Sequence, residues 1–404
     1  MTSPAPAALD VSTVRADFPA LAEGLAHFDG PGGTQVPAAV SDAVAGALRS
    51  AVSNRHGPFA SSRRADGLVD AAREAVADLV GGDPAGVVLG QSMTANTYVM
   101  AGALSKTWQA GDEVVLSRLD HDADVRPWVQ AADRAGAVVR WADVDPTSAE
   151  LPAEQYDRLV TERTRLVAVT AASNATGTRP DVRAIADRAH AVGAVVHVDG
   201  VHATPHLATD VRALGADLYA TSAYKWYGPH VGCTVGDPAL LETLRPDKLL
   251  PSSDAVPDRF EHGTPSFAAH AGVAAAVDWI AGHGQGTTRR ERVLSAMAAI
   301  AEHETRVFGR LLDGLAALDG VTLVGAPARR TPTVAFTVDG RSPQSVSEAL
   351  GERGIAVWAG NYYAVELMTA LGLEGSGGAV RAGVVCYTTD EEVDRLLTAV
   401  QEAL

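Results

Sequence analysis

Short apolar runs alternate with helical stretches along the middle of the chain. Apolar, β-branched runs predict strands at 87–89, 114–116, 137–141, 166–170, 195–198 and 218–220. Helical patterns lie between them, at 96–108, 125–134, 152–161 and 181–192. The strand starts from 114 onwards lie 23 to 29 residues apart, which is the spacing of strand–helix–strand units. The pattern predicts a mostly parallel sheet with helices on both faces.

The flanks of this alternating part differ from it. The apolar run at 231–235 follows 218–220 too closely for a crossover helix, so we expect these two strands to be antiparallel and the sheet to be mixed. On the N-terminal side, a polar arm over residues 1–26 precedes two Ala-rich helices, at 38–51 and 67–80.

The C-terminal part begins after a stretch rich in Pro, Ser and Asp at 250–266. Apolar residues at helical spacing predict a long amphipathic helix over 287–318. Beyond it, strands are predicted at 333–338, 355–358 and 379–385, and helices at 343–353 and 391–404. We therefore predict three parts: an arm (1–26) that packs with the small domain, a large domain (27–285) and a small C-terminal α+β domain (286–404).

Composition narrows the class of protein. The chain has 404 residues, of which 47% are hydrophobic and 20% charged, as in a globular protein of two domains. A net charge of −16 argues against nucleic acid or an anionic membrane as a partner. No signal peptide and no membrane-spanning run is visible, so we expect a cytoplasmic protein. Two cysteines cannot build a disulfide framework or a Cys-rich zinc site.

One lysine stands out by its surroundings. The chain has 33 Lys and Arg residues, but the only lysines are Lys106, Lys225 and Lys248. Lys225 lies among three aromatic residues, after a predicted strand and before a Gly-Pro turn. Arginine cannot lose its proton and condense with a carbonyl, whereas a primary amine can. The pattern favours a lysine that forms a Schiff base over an ordinary surface lysine.

Polar clusters follow four of the predicted strands, at 92–96, 120–122, 173–177 and 197–202. Ligands of doubly wound sheets bind beyond the carboxyl ends of the strands. The first cluster opens a helix and is either a phosphate site or an ordinary N-cap; the next two are either functional or plain loops. The fourth contains Asp199.

The histidines around Asp199, which are His197, His202 and His206, also raise the possibility of a metal site, although their spacing matches no common one. Pyridoxal phosphate explains more of the pattern, because it needs an amine for its aldehyde, a carboxylate for its ring nitrogen and a helix start for its phosphate. Asp199 and Lys225 are one strand–crossover–strand unit apart, so we expect both at the same edge of the sheet.

At the level of motifs, the sequence resembles the class V aminotransferase family of fold-type I pyridoxal phosphate enzymes, nearest the cysteine desulfurase and selenocysteine lyase branch. The matching motifs are Ser-x-x-Lys-x-Tyr-Gly-Pro-x-x-Gly at 222–232, Val-Asp-Gly at 198–200, Phe-Glu-His-Gly-Thr-Pro at 260–265, Leu-Asp-His at 119–121 with Pro-Trp at 127–128, Ser-Asn-Ala-Thr-Gly at 173–177 and Val-Arg-Ala at 380–382. The resemblance implies a mixed, mostly parallel seven-stranded sheet plus a smaller C-terminal α+β domain.

The resemblance also implies roles for individual residues. Lys225 would bond the cofactor aldehyde, Asp199 would pair with its ring nitrogen, and His121 would stack on its ring. The remaining contacts would come from Asn174 and His202 near the ring hydroxyl, from Thr94, Ser222 and the N–H of Ala95 at the phosphate, and from Thr264 at the phosphate of a neighbouring subunit. Thr264 therefore implies a homodimer.

The substrate would be an amino acid or a close analogue, with Arg381 at its carboxylate. The pocket loops would add His56, Asn361 and Tyr363, although the sequence of these loops does not identify the side chain of the substrate. Tyr224, Tyr362 and Tyr363 are interpreted either as acids or as pocket walls.

Two departures from the family limit the predicted reaction. Tyr224 precedes the lysine where His is usual, and Tyr363 occupies the place of the nucleophilic cysteine of desulfurases. Neither Cys233 nor Cys386 is an obvious substitute, and persulfide transfer needs a thiolate. The sequence therefore predicts β-elimination of the C–S lyase type, with transamination as the alternative. A true desulfurase or selenocysteine lyase, a metal-dependent hydrolase and a cofactor-binding protein without turnover rank lower.

Overall fold

A computed structural model describes residues 9–403 of the protein. Its strands are β1 (Ala26–His27), β2 (Val87–Gly90), β3 (Glu113–Ser117), β4 (Val138–Ala142), β5 (Thr164–Thr170), β6 (Val195–Asp199), β7 (Leu218–Ser222), β8 (Gly232–Gly236), β9 (Val321–Val324), β10 (Thr333–Val338), β11 (Ile355–Ala356), β12 (Trp358–Gly360) and β13 (Ala379–Gly383). Its helices are α1 (Val11–Ala16), α2 (Ala38–Arg49), α3 (Ala60–Val80), α4 (Met93–Leu104), α5 (Arg126–Ala135), α6 (Tyr156–Leu159), α7 (Val182–His190), α8 (Val211–Leu214), α9 (Pro238–Thr243), α10 (Phe267–Gly282), α11 (Arg289–Ala316), α12 (Pro343–Gly351), α13 (Val365–Ala370) and α14 (Asp390–Ala403).

Seven strands form the central sheet, in the order β2-β8-β7-β6-β5-β3-β4. The pairs from β4 to β7 are parallel, whereas β8 is antiparallel to both of its neighbours. The predicted mixed sheet is confirmed. The reason is the short connection from β7 to β8, which leaves no room for the crossover that a parallel pair requires.

Helices cover both faces of this sheet, as predicted. Alternate residues of one strand face opposite sides, and β3 illustrates the result. Val114 and Leu116 belong to the same apolar core as Trp128 of α5, whereas Val115 belongs to the core that includes Ile185 of α7. Among residues 9–403, no helix has both the length and the apolar character that crossing a bilayer requires.

The C-terminal part contains an antiparallel sheet in the order β12-β13-β10-β9. Side chains of α11, α12 and α14 fill a third apolar core on it. The N-terminal arm reaches this part, because β1 pairs in parallel with β11 and Arg15 bonds Glu392 at 3.1 Å. Residues 1–8 of the arm and Leu404 of the last predicted helix lie outside the described residues. The three-part division of the chain stays a prediction.

Several predicted elements differ from the structure. The predicted helix at 152–161 is a 3-10 turn followed by the single turn α6, and the predicted strand at 355–358 is divided between β11 and β12, which belong to different sheets. The helix α10 and the strand β9 lie where no element was predicted. α10 packs against α2, α3 and α11, so it is apolar on most sides and lacks the polar face that reveals an amphipathic helix.

Candidate active site

The carboxyl ends of β6 and β7 bring the amine and the carboxylate together. The strands are parallel neighbours with Asp199 paired to Ala220, and the turn after β7 carries Lys225. Gly232 at the start of β8 allows the first turn of α4 to approach closely, because a Cβ there would lie 2.0 Å from the carbonyl carbon of Ser92. Asp199 and Lys225 therefore lie at the same edge of the sheet, as predicted.

Two adjoining chambers lie at this edge. The deep chamber has a volume of about 80 Å³, and the predicted residues that line it are Thr94, His121, Asn174, Asp199, His202, Ser222 and Lys225. The outer chamber has a volume of about 740 Å³ and shares Thr94, His121, Asn174 and Lys225 with the deep one. It adds three predicted substrate residues, which are Asn361, Tyr363 and Arg381.

Three predicted residues do not face the chambers. His56 and Thr264 are exposed and line neither of them. The N–H of Ala95 donates to the Ser92 hydroxyl at 3.1 Å, so the helix cap already satisfies this amide. Thr94, one residue earlier, is the residue of this turn whose side chain reaches both chambers.

The amine of Lys225 is buried. Its Nζ donates to the backbone carbonyl of Pro31 and lies 5.3 Å from the ring centre of Tyr224. Burial, together with the nearby charge of Arg381, lowers the pKa of Lys225 to about 7 against the opposing effect of Asp199. An amine with this pKa is substantially unprotonated near neutral pH, which both a nucleophile and a general base require.

The floor of the deep chamber is formed by Asp199 and the buried groups behind it. Asp199 accepts the N–H of Val201 at 2.8 Å, and burial raises its pKa. Behind it, Nδ1 of His197 lies 2.7 Å from Oδ1 of Asp124, with both side chains fully buried. The same oxygen accepts the indole N–H of Trp128 at 2.9 Å.

Burial shifts the pKa values of His197 and Asp124 towards their uncharged forms. Burial lowers the pKa of His197 to about 4. Burial and the charge of Asp199 raise the pKa of Asp124 well above its usual value. Both shifts favour the uncharged forms of the acid and of the imidazole that lie behind Asp199. Sequence reasoning missed Asp124, whose only signal was its place after a strand end.

The three histidines near Asp199 do not form one site. His197 contacts Asp124, whereas Nε2 of His202 lies 3.1 Å from the Thr333 hydroxyl and Nδ1 of His206 lies 2.9 Å from Glu304. Within residues 9–403, no three His, Cys, Asp or Glu side chains are grouped so that they could hold a metal ion. The geometry gives no support to the metal-dependent alternative.

A loop from the C-terminal part covers His121 and Asn174. The Asn174 amide donates to the Tyr362 carbonyl at 2.9 Å, and the N–H of Asp122 donates to the Tyr363 carbonyl at 2.7 Å. The ring of Tyr363 stacks on His121 with centres 5.6 Å apart. Tyr362 and Tyr363 have φ values of 54° and 58°, a left-handed conformation that costs residues with a side chain roughly 1–2 kcal/mol each.

Arg381 on β13 brings a buried cation to the outer chamber. Its Nη1 donates to the Asn174 carbonyl at 2.9 Å, and its guanidinium carbon lies 4.3 Å from the ring centre of Tyr362. Burial lowers the pKa of Arg381 to about 10, and its buried Nε–H has no partner among the residues that the structure describes. This arrangement can bind a carboxylate.

Neither cysteine faces the chambers. Cys233 on β8 and Cys386 after β13 are fully buried and line neither chamber. Burial raises the pKa of both thiols, which disfavours the reactive thiolate.

The deep chamber fits the chemistry of pyridoxal phosphate. It offers an amine of lowered pKa for an aldehyde, a carboxylate for a ring nitrogen, and hydroxyls of Thr94 and Ser222 for a phosphate. Within residues 9–403, the buried Oδ1 of Asn174 has no hydrogen-bond partner, as expected of a group that contacts a ligand.

Comparison with known proteins agrees with this arrangement. The sequence profile of the family Aminotransferase class-V matches residues 26–396. The chain is 38% identical over 395 residues to "Uncharacterized protein MT3887" of Mycobacterium tuberculosis, which covers 97% of this chain and 98% of that protein. It is 35% identical to a protein of Pseudomonas aeruginosa named "Probable cysteine desulfurase", over 96% of this chain and 97% of that protein.

A solved structure has the same fold. The crystal structure of the cysteine desulfurase CsdA from Escherichia coli matches with a TM-score of 0.86 at 28% identity, over 98% of this chain and 99% of that one. The predicted family, fold class and cofactor are thereby confirmed, whereas the roles of individual site residues stay predictions. The chain belongs to the class-V aminotransferase family and is a pyridoxal phosphate-dependent enzyme with the fold of the cysteine desulfurases.

Proposed function

We propose that this enzyme breaks a carbon–sulfur bond by β-elimination from an amino acid that carries a substituted sulfur. The observation behind the proposal is the outer chamber, which joins a buried amine and a buried guanidinium to a large volume that no cysteine lines. Pyridoxal phosphate, when bound, supplies an electron sink for the bond broken at Cα. The residues of the chain bind and orient the substrate and move protons.

Arg381 holds the substrate carboxylate in this proposal. Its Nε–H bonds none of the described residues, while its contacts with Asn174 and Tyr362 fix the plane of the guanidinium. A planar donor group held in place binds a carboxylate through two parallel hydrogen bonds. The α-amino group and Cα are thereby directed towards Lys225, which lines the same chamber.

Lys225 takes the Cα proton. Its pKa of about 7 lies near the pH at which a general base is most effective. Burial lowers the pKa of His121 to about 4, so its ring is neutral. It would stack on the ring of the cofactor without adding a positive charge beside the amine of Lys225. The N–H of Val201 and the charge of Lys225 favour the ionised form of Asp199, against the burial that raises its pKa.

The cysteines support release of a thiol over transfer of sulfur. Relatives of this chain carry the name "Probable cysteine desulfurase", which favours a sulfur-containing amino acid as substrate. Persulfide formation needs a thiolate at the substrate sulfur, but Cys233 and Cys386 are buried away from the chambers. The proposed overall reaction consumes the cysteine S-conjugate and one water, and it yields one thiol, one pyruvate and one ammonium ion.

The experiment incubates holoenzyme with S-methyl-L-cysteine, L-cysteine and L-alanine and quantifies pyruvate, ammonia, thiol and the state of the cofactor. We expect pyruvate and methanethiol in equal amounts over many turnovers. Lys225→Ala is the control for the chemistry of the site. A keto acid that retains the sulfur would establish transamination instead, and protein-bound persulfide formed from L-cysteine would establish desulfuration.

We also propose that the enzyme is a homodimer in which His56 and Thr264 serve the neighbouring subunit. His56 lies 4.0 Å from Asp258, so its loop adjoins the segment that leads to Thr264. Phe59, Leu249 and Leu250 are exposed apolar residues near these positions in the chain.

Hybrid dimers test this proposal. We expect Lys225→Ala and Thr264→Ala each to lower activity, and we expect mixing and reassembly of the two variants to restore part of it, because a hybrid contains one intact site. A monomeric enzyme, or the absence of complementation, would contradict the proposal.

A further inference from the structure

The outer chamber has an aromatic wall that the reaction at Cα does not use. Tyr98, Trp358 and Tyr363 line this chamber, and their exposed fractions are 40%, 53% and 71%. Large aromatic side chains usually bury most of their surface. At about 740 Å³, the chamber has the size of sites for ligands much larger than cysteine, which span roughly 300–1,000 Å³.

Trp358 is placed next to the carboxylate anchor. β12 and β13 are antiparallel, and Trp358 pairs directly with Arg381. Opposite residues of an antiparallel pair project to the same face with Cβ atoms about 5 Å apart. A substrate whose carboxylate lies on Arg381 therefore has Trp358 within reach of its side chain. Gly32 leaves space for the indole, because a Cβ there would lie 2.5 Å from its Nε1.

Tyr98 and Tyr363 face the same space from two other elements. Tyr98 follows Thr94 by four residues on α4, so both project from one face of the helix. The Tyr363 ring stacks on His121 through one face and leaves most of its surface exposed. The aromatic groups thus come from a helix, a strand and a loop that border one chamber.

Lys225 and Arg381 are assigned to Cα and the carboxylate of the substrate in the proposed reaction. Among the described residues, the other two charged side chains that line the outer chamber are Asp122 and Arg126, which pair with each other. Arg126 bonds Asp122 at 2.7 Å and Glu366 at 3.2 Å. An anionic substituent would have to displace these carboxylates, whereas an uncharged ring meets aromatic surface without breaking an ion pair. The wall therefore favours a flat, uncharged group.

We propose that the substituent on the substrate sulfur is a large, uncharged aromatic group that stacks on Trp358, so that the substrates are S-arylmethyl conjugates of cysteine. This inference rests on the proposed β-elimination. For S-benzyl-L-cysteine, the Cβ–S bond breaks with its electron pair on sulfur, the thiolate takes a proton, and water completes the release of pyruvate and ammonium.

The first test compares S-benzyl-, S-cyclohexylmethyl- and S-methyl-L-cysteine on the holoenzyme. Similar thiolates leave in all three, while only the first substituent is aromatic. We expect kcat/KM for S-benzyl to exceed that for S-methyl by about tenfold or more and that for S-cyclohexylmethyl by about threefold. Equal values for the three substrates would overturn the proposal.

The second test changes the wall. Trp358→Ala should raise KM for S-benzyl-L-cysteine by about tenfold and leave KM for the S-methyl substrate within about twofold, while Trp358→Phe should retain the preference. Leu48→Ala is the matched control, because Leu48 is 73% exposed on α2 and does not line the chamber. A loss that is equal for both substrates would show that Trp358 has only a structural role.

A binding measurement separates this inference from the reaction type. 4-Phenylbutanoate carries a carboxylate and a ring but no amine, and pentanoate is its counterpart without the ring. We expect 4-phenylbutanoate to bind the holoenzyme about tenfold more tightly, with the difference lost in Trp358→Ala. If 4-phenylbutanoate binds more tightly while no pyruvate forms, the aromatic site is supported and the β-elimination is contradicted. If pyruvate forms without this difference in binding, the β-elimination is supported and the aromatic site is contradicted.

Discussion

The floor and the mouth of the active site are built in opposite ways. At the floor, Asp199, His197 and Asp124 are almost fully buried, and burial shifts their pKa values away from the usual ones. At the mouth, Trp358 and Tyr363 keep more than half of their surface exposed. The floor places titratable groups in a medium of low dielectric constant, whereas the mouth exposes aromatic surface.

In the proposed reaction, this contrast separates the residues that act in the chemistry from the residues that select the substrate. A change at the floor alters the electrostatic environment of every substrate, because the groups there do not contact the variable part of a ligand. A change at the mouth alters the affinity for some substrates and not for others. The two regions can therefore be distinguished by whether a substitution affects small and large substrates equally.

The largest expected effect comes from Lys225, which lines the deep chamber together with Asp199 of the floor. Lys225→Ala should lower turnover of every substrate by about 10³-fold, because it removes both the nucleophile and the base. Borohydride treatment followed by mass spectrometry should fix the cofactor to the wild-type chain only. The control is Lys106→Ala, a half-exposed lysine paired with Asp247 at 2.6 Å, which should stay within about twofold. Turnover above a tenth of the wild-type rate in Lys225→Ala would contradict the assignment.

Arg381→Lys should reduce kcat/KM by about 100-fold, because lysine keeps the charge but lacks the planar pair of donors. The loss should be equal for S-methyl- and S-benzyl-L-cysteine, since both carry the same carboxylate. Arg310→Lys is the matched control, as Arg310 is half exposed and bonds Asp394 at 2.6 Å. A loss confined to the S-benzyl substrate would assign Arg381 to the mouth.

His197→Leu should change how stability depends on pH. The pKa of His197 is lowered from 6.5 to about 4 by burial, so between these values the unfolded chain binds a proton that the folded chain does not. Stability therefore falls as pH is lowered from 6.5 to 4, by up to about 1.4 kcal/mol per pH unit for one group. The leucine variant should lose this contribution.

Urea unfolding between pH 4.5 and 7 measures that slope. Val196→Ala is the control, because Val196 is fully buried beside His197 on β6 and the substitution removes no titratable group. We expect it to lower stability at every pH with an unchanged slope. If His197→Leu also leaves the slope unchanged, His197 is not the buried neutral base described here.

The smallest effect is expected at Tyr363 in the mouth. Tyr363→Gly removes the cost of the left-handed conformation, about 1 kcal/mol, but it also removes the stack on His121. The free energy of unfolding should therefore change by less than about 1 kcal/mol, while KM for S-benzyl-L-cysteine rises about threefold. Ala149→Gly is the backbone control, since Ala149 has φ 59° outside the chambers, and it should leave KM unchanged.

The floor is more predictable from sequence than the mouth. Lys225 and Asp199 each follow an apolar run, so the rule that ligands lie at strand ends is enough to bring them together. Trp358 gives no such signal, because its position beside Arg381 comes from pairing across a sheet. Asp124 is hidden for a similar reason: its partner His197 is distant in sequence.

The sequence alone determined the alternating sheet and the cofactor, and it singled out Lys225 as a candidate, because periodicity, motifs and residue chemistry are local properties. The tertiary structure decided what surrounds them. It placed His202 beside Thr333 and His206 beside Glu304, buried both cysteines, and placed the loop of Tyr362 and Tyr363 over His121. Burial and contacts between distant segments set pKa values and the shape of a cavity, and neither can be read from local spacing.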